Sequence, residues 1–472
     1  MTGAPGRRTL RRLAVAVAAA APCRAPSRVR SLSGRASATN RETAMDIPLH
    51  ALGAWDAARR LARRELRAED LLRACLERIT ARDPALRAFV ALRPEAALAE
   101  ARNLDAGPWR GPLHGLPLGV KDVLDTADLP TALGTPIYAG HQPASDAAAV
   151  ALCRAAGAVV VGKTATTPLA TMQPAATLNP HDPARTPGGS SAGSAAAVAD
   201  DLLPLALGTQ TAGSVIRPAA YCGIVGYKPS VGRVPREGAK LQSDTLDTIG
   251  GFGRGVRDAA LLGAALLGDA RLTEAVERAS EAAPRIGLAP TPDWPQADED
   301  TRAAWSLAVA RLAPRAPLAD AALPEGFDGL VALQKDVMFH EAARSMTFEW
   351  EQHRERLGAP LVAMLEAGRA IPPETHVRRL RETLAWRARI DALFEHHDVL
   401  LAPSATGEAP GRETTGDPLF CRAWTLLGLP CVHLPVARGR HGLPVGLQLV
   451  GRFGEDHRLF AAALWVEAAL TG

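Results

Sequence analysis

Three residues between positions 115 and 217 have the types and settings that acyl chemistry needs. Lys121 ends the apolar run Leu116-Pro-Leu-Gly-Val120. Ser190 lies in the loop Thr186-Pro-Gly-Gly-Ser190-Ser191-Ala-Gly-Ser194, and Ser214 in Gly208-Thr-Gln-Thr-Ala-Gly-Ser214-Val-Ile-Arg217. A serine hydroxyl is a weak nucleophile near neutral pH and needs a base. Lysine can be that base only as the neutral amine, which burial among apolar side chains favours. The chain has only five lysines (Lys121, Lys163, Lys228, Lys240 and Lys335), so each is conspicuous. Acyl transfer also needs N–H donors that converge on a developing oxyanion. Small residues let the backbone come that close, and Thr211-Ala212-Gly213-Ser214 is such a stretch.

Two short motifs match by letter and fail on physical grounds. Gly157-Ala-Val-Val-Val-Gly162-Lys163-Thr164 fits the phosphate-loop pattern, but that motif needs a flexible loop whose N–H groups wrap a phosphate. Here the middle residues are apolar and mostly β-branched, so they form the strand itself, with Lys163 a structural residue at its end. Gly189-Ser190-Ser191-Ala192-Gly193 fits the nucleophile elbow, which requires a strand immediately before it. Residues 179–188 hold three prolines and cannot be a central strand. Ser191 and Ser194 read instead as helix-cap or hydrogen-bond supports, Asp247 as a turn anchor, and Cys222 as a small buried hydrophobe. No His-Glu-x-x-His pair exists, His396-His397 reads as solvated helix surface, and no metal site is indicated.

Alternating elements must position these residues. Leu61, Leu66, Leu71, Leu72, Cys75, Leu76 and Ile79 recur near helical spacing. Leu116–Val120, Ala158–Val161 and Leu203–Leu207 read as buried strands, with a helix over Asp146–Ala156 between two of them. A small-residue helix over Ala195–Ala199 follows the serine loop. Residues 256–400 read as mostly helical with a proline-rich connector at 284–296. Strands return at Asp398–Ala402, Val432–Pro435 and Val445–Val450. The pattern predicts an α/β fold with a largely buried sheet.

Composition sets outer limits. Of 472 residues, 47% are hydrophobic and 22% charged, which supports a packed core and excludes global disorder. A net charge of +4 is too balanced for a dedicated nucleic-acid binder. Nine arginines and one acid fall in residues 1–44, which read as a disordered or targeting extension before a single domain over 45–472. No run is long and apolar enough for a spanning helix. Six scattered cysteines without a Cys-x-x-Cys pair indicate a reducing, cytoplasmic setting, although the extension has features of an export signal.

The serine loops and the upstream Lys121-Asp122 step together resemble the amidase signature family of Ser–cis-Ser–Lys amidohydrolases. The resemblance runs from about Leu49 to Leu470 and is weakest over 285–395. It includes Cys222-Gly-Ile-Val-Gly-Tyr-Lys228-Pro229, Leu246-Asp247-Thr248-Ile-Gly250 and Gly442-Leu-Pro-Val-Gly-Leu-Gln448. It implies an α/β/α architecture, a mixed central sheet covered by helices on both faces. Ser214 would be the acylated nucleophile, Lys121 the general base and Ser190 the bridging serine after a cis peptide. The N–H groups of Thr211, Ala212, Gly213 and Ser214 would form the oxyanion hole.

The implied reaction is amide hydrolysis on a small molecule, without cofactor, metal, nucleic acid or membrane, by an enzyme expected as a homodimer. Gln210 stands where the family usually has Asp, and Ala192 and Ala212 where it has Gly. With Trp424-Thr-Leu-Leu-Gly-Leu-Pro430, this wording is similar to bacterial amidases of the malonamidase type. In that branch the arginine at the position of Arg217 meets a substrate carboxylate; the plainer alternative is a structural ion pair. Pocket residues are expected largely from 285–395. The rival readings are an amidotransferase subunit that makes glutaminyl-tRNA and an inactive amide-binding homologue.

Overall fold

In the computed structural model, residues 47–471 are described, apart from Ala279 and Glu281; the extension expected over 1–44 lies outside them. The aliphatic runs form the middle of a sheet. In chain order its strands are β1 Phe89–Leu92, β2 Pro117–Lys121, β3 Val159–Thr164, β4 Leu205–Gln210, β5 Val225–Lys228 and β6 Thr248–Gly253. The second set is β7 Ile286–Leu288, β8 Leu318–Asp320, β9 Val399–Pro403, β10 Cys431–Arg438 and β11 Pro444–Val450. Among the described residues they make one mixed sheet in the order β1-β3-β2-β4-β6-β5-β10-β11-β9-β7-β8.

The fold is α/β, with helices on both faces. Along β9, Val399 and Leu401 join one apolar cluster while Leu400 and Ala402 join the other. That is the two-residue period of a strand covered on both sides. The helix Ala148–Ala155 links β2 and β3, which pair in parallel with Lys121 opposite Thr164. A crossover of this kind requires a long connection. No helix among the described residues is long and apolar enough to cross a membrane.

The stretch 256–400 is mostly helical, as expected, with two short strands added: β7 falls inside the proline-rich connector and β8 follows it. One expectation changes. His396-His397 is not helix surface: it follows the 3-10 turn Ala392–Glu395, and His397 is buried. Its ring closes over Gly287, where an added Cβ would lie 2.9 Å from the imidazole.

Candidate active site

Lys121 is the last residue of β2 and is fully buried. Its Nζ lies 2.7 Å from both Ser190 Oγ and Thr209 Oγ1. Burial pushes the amine down to about 7; the nearby Asp247 carboxylate opposes this and the Arg217 charge adds to it. At neutral pH a large share of Lys121 is therefore the unprotonated amine, with a lone pair beside a serine hydroxyl.

The Gly189–Ser190 peptide is cis. The carbonyl of Ser190 accepts from Thr167 N at 3.1 Å, and that of Gly189 from Arg217 Nη2 at 2.6 Å. Gly188 has φ +85°, and a Cβ there would lie 2.8 Å from Pro218 Cα, so the loop's entry requires glycine. Ser191 precedes the helix Ala192–Ala199, and its hydroxyl lies 3.3 Å from both N and O of Thr209. Ser194 Oγ bonds Thr164 Oγ1 at 2.6 Å and Leu207 O at 2.8 Å. Both are supports that tie the helix to β3 and β4, and neither offers a free nucleophile.

Ser214 stands in the turn between β4 and the helix Ile216–Cys222 and lines a pocket. Its hydroxyl bonds no described residue. The structure thus brings Lys121 and Ser190 into contact and leaves the Ser214 hydroxyl open to the pocket. The carbonyls before Ser214 are all engaged. Thr211 O accepts from Gln334 Nε2 at 3.1 Å, Ala212 O from Thr425 Oγ1 at 2.8 Å and Gly213 O from Arg217 N at 2.9 Å. The N–H groups of Ala212, Gly213 and Ser214 donate to no described residue. Ala212 has no positive φ, so the methyl in place of a glycine hydrogen is tolerated without strain.

Gln210 has a task for which its position in the motif gave no rationale. Its Oε1 accepts from Val215 N at 2.9 Å and Ile216 N at 3.0 Å, satisfying the start of the helix that follows Ser214. Its Nε2 donates to Thr425 Oγ1 at 3.0 Å. Asp247 anchors its turn through the N–H groups of Gln242 and Ser243, as expected, and also bonds Thr211 Oγ1. Burial raises its carboxyl to about 6. Cys222 is buried, which pushes its thiol up. Lys163 is buried within β3, with Thr131 Oγ1 at 2.7 Å and Asp122 Oδ1 at 3.2 Å, a structural cation as read.

Arg217 forms no ion pair among the described residues. Nη1 donates to Gly416 O at 2.8 Å and Nη2 to Gly189 O, while no carboxylate of a described residue lies within 4.0 Å. It lines the pocket with Ser214. The pocket has about 570 Å³ of empty volume. Only Met338 and Met364 of its lining come from 285–395; most comes from 170–172, 211–217 and 414–422. The expectation that 285–395 would supply most of it fails because the loops around the serines line their own pocket. A larger hollow, about 1100 Å³, lies against Leu61, Arg64 and Trp109 and touches none of Lys121, Ser190 and Ser214.

A family model described as Amidase matches residues 70–460. The chain belongs to the amidase family. It is 36% identical over 470 residues to a glutamyl-tRNA(Gln) amidotransferase subunit from Thermus thermophilus, covering 87% of this chain and 95% of the relative. A solved amidase structure superposes with TM-score 0.80 at 32% identity, over 89% of this chain and all of that one. The native peptide amidase of Stenotrophomonas maltophilia superposes with TM-score 0.75 at 28% identity, over 90% and 98%.

Proposed function

We propose that this family member hydrolyses amides through a Ser214 acyl-enzyme. The observation that carries the reading is the buried Lys121 amine, 2.7 Å from Ser190 Oγ, together with a second serine, Ser214, that lines a pocket. Ser214 Oγ attacks the amide carbonyl and its proton passes to Ser190 Oγ as the Ser190 proton passes to Lys121 Nζ. The oxyanion is held by N–H groups among Thr211, Ala212, Gly213 and Ser214. The proton returns along the same route to the leaving nitrogen, the C–N bond breaks, and an ester on Ser214 remains. Water then repeats the sequence and releases the acid. Arg217 meets the substrate from the pocket wall while its Nη atoms brace two loops. The substrate is a small, linear, non-peptide amide, and the enzyme works without a cofactor as a cytoplasmic homodimer. Residues 45–472 form its single domain.

Labelling with a serine-reactive fluorophosphonate, followed by peptide mass spectrometry, tests this. The adduct is expected on Ser214 and is expected to vanish in Lys121→Ala and fall sharply in Ser190→Ala. An adduct on Ser191 would overturn the reading. The alternative, an amidotransferase subunit, draws support from the Thermus thermophilus relative; purification from the native cells would then bring down partner subunits.

A further inference from the structure

We propose that Arg422 selects the substrate, by receiving a carboxylate that the amide carries away from its reacting carbonyl. The inference rests on the reading of Ser214 as the reacting centre and adds the substrate's charge. Arg422 lies on the helix Leu419–Leu426, is 6% exposed, and lines the same pocket as Ser214 and Thr211. Its Nη1 is held by Gln334 Oε1, and the other end of that amide holds Thr211 O. The guanidinium is thus fixed to the loop before Ser214. Its Nε, like that of Arg217, is buried with no partner among the described residues, and no carboxylate of a described residue lies within 4.0 Å. A buried cation is ordinarily paired, because desolvation without a counter-ion is costly.

The surroundings sharpen the case. Among the described residues no acidic side chain lines the pocket, and Met172, Met338 and Met364 supply apolar wall. Burial pulls the Arg422 guanidinium down to about 10, the exposed Asp417 opposing and Arg217 adding, so it is a cation at neutral pH. Two guanidinium groups therefore line one pocket; the Asp417 carboxylate influences both from beyond 4.0 Å, and no carboxylate of a described residue pairs with either. Of the two, Arg217 has both Nη atoms bound to backbone carbonyls. Arg422 has one Nη bound, to a side chain that can turn. A carboxylate entering the pocket therefore meets Arg422 with donors to spare, and a planar fork suits it.

Calorimetric binding to the Ser214→Ala protein tests this without turnover. Succinamate carries an amide and a carboxylate; its methyl ester is the neutral control. Succinamate is expected to bind at least ~10-fold more tightly than the ester. Adding Arg422→Leu is expected to weaken succinamate by about 10–100-fold and leave the ester unchanged. Arg422→Lys should keep part of the preference, and serves also if the leucine variant does not fold. Equal loss for both ligands, or no preference for succinamate before substitution, overturns the proposal. Failure of the hydrolase reading would appear separately, as absence of a fluorophosphonate adduct on Ser214 in the unsubstituted protein.

Discussion

The sharpest consequence of the Lys121 environment is a pH profile. An ordinary lysine near 10.5 is neutral in roughly three molecules per ten thousand at pH 7; one near 7 is neutral in about half, a gain of about a thousand-fold in available base. The rate of fluorophosphonate labelling at Ser214, followed from pH 5.5 to 9, should rise through one limb centred near 7 and level off above it. Asp247→Asn supplies the directional test. The carboxylate holds the Lys121 value up, so removing its charge should move the midpoint to lower pH. Asn can still accept from the N–H groups of Gln242 and Ser243, so the turn should persist. The two groups titrate close together, and the limb belongs to the pair until the substitution separates them. A limb near 10, a flat profile, or an upward shift in Asp247→Asn would refute the argument that buried Lys121 is the base.

Other expectations concern stability and loop support. Because the folded value of Lys121 lies below the unfolded one, the unfolded chain binds more protons between about pH 7 and 10.5, and stability rises with pH across that window. The charge imbalance costs the fold about 4 kcal/mol at pH 7. Lys121→Met should therefore flatten this dependence and raise the melting temperature at pH 7 while abolishing labelling. Lys163→Met should strand the buried Asp122 and cost about 3–5 kcal/mol by chemical denaturation, with Asp122→Asn recovering part. Gln210→Ala leaves two N–H groups at the start of the Ile216–Cys222 helix without an acceptor and should cost about 1–2 kcal/mol and slow labelling, whereas Gln210→Glu should retain most of both.

The sequence made some of this structure readable and hid the rest for identifiable reasons. β2, β3 and β4 showed as aliphatic runs because both faces of their sheet are buried. β6, Thr-Ile-Gly-Gly-Phe-Gly, did not read as a strand because glycines occupy half of it. They are there for contact: a Cβ on Gly250 would lie 2.1 Å from Tyr227 O, and one on Gly251 2.5 Å from the Leu262 side chain. β7 and β8, three residues each, are too short to show a period. Lys121, Ser190 and Ser214 were legible because each lies in a glycine-rich or strand-end context that local sequence displays. Thr209, Gln334, Thr425 and Arg422 were not. Thr209 bonds Lys121 directly and the others bond Gln210, Thr211, Ala212 or one another, across separations of 88 to 215 positions, and no local pattern marks such a pairing.

The strand order also bears on how the chain is made. The first six strands lie together on one side of the sheet and the last five on the other. They meet at one antiparallel seam, where Cys431, Val432 and His433 pair with Lys228, Tyr227 and Gly226. A ribosome therefore releases the half that holds Lys121, Ser190 and Ser214 long before the half that supplies Thr425, Gln334 and Arg422. Until the seam closes, β5 presents an open edge of unpaired N–H and C=O groups, the kind of surface on which unfinished chains associate. The seam strand β10 is thus a late checkpoint of synthesis: nascent chains arrested before it should aggregate, and release of the remaining strands should rescue them.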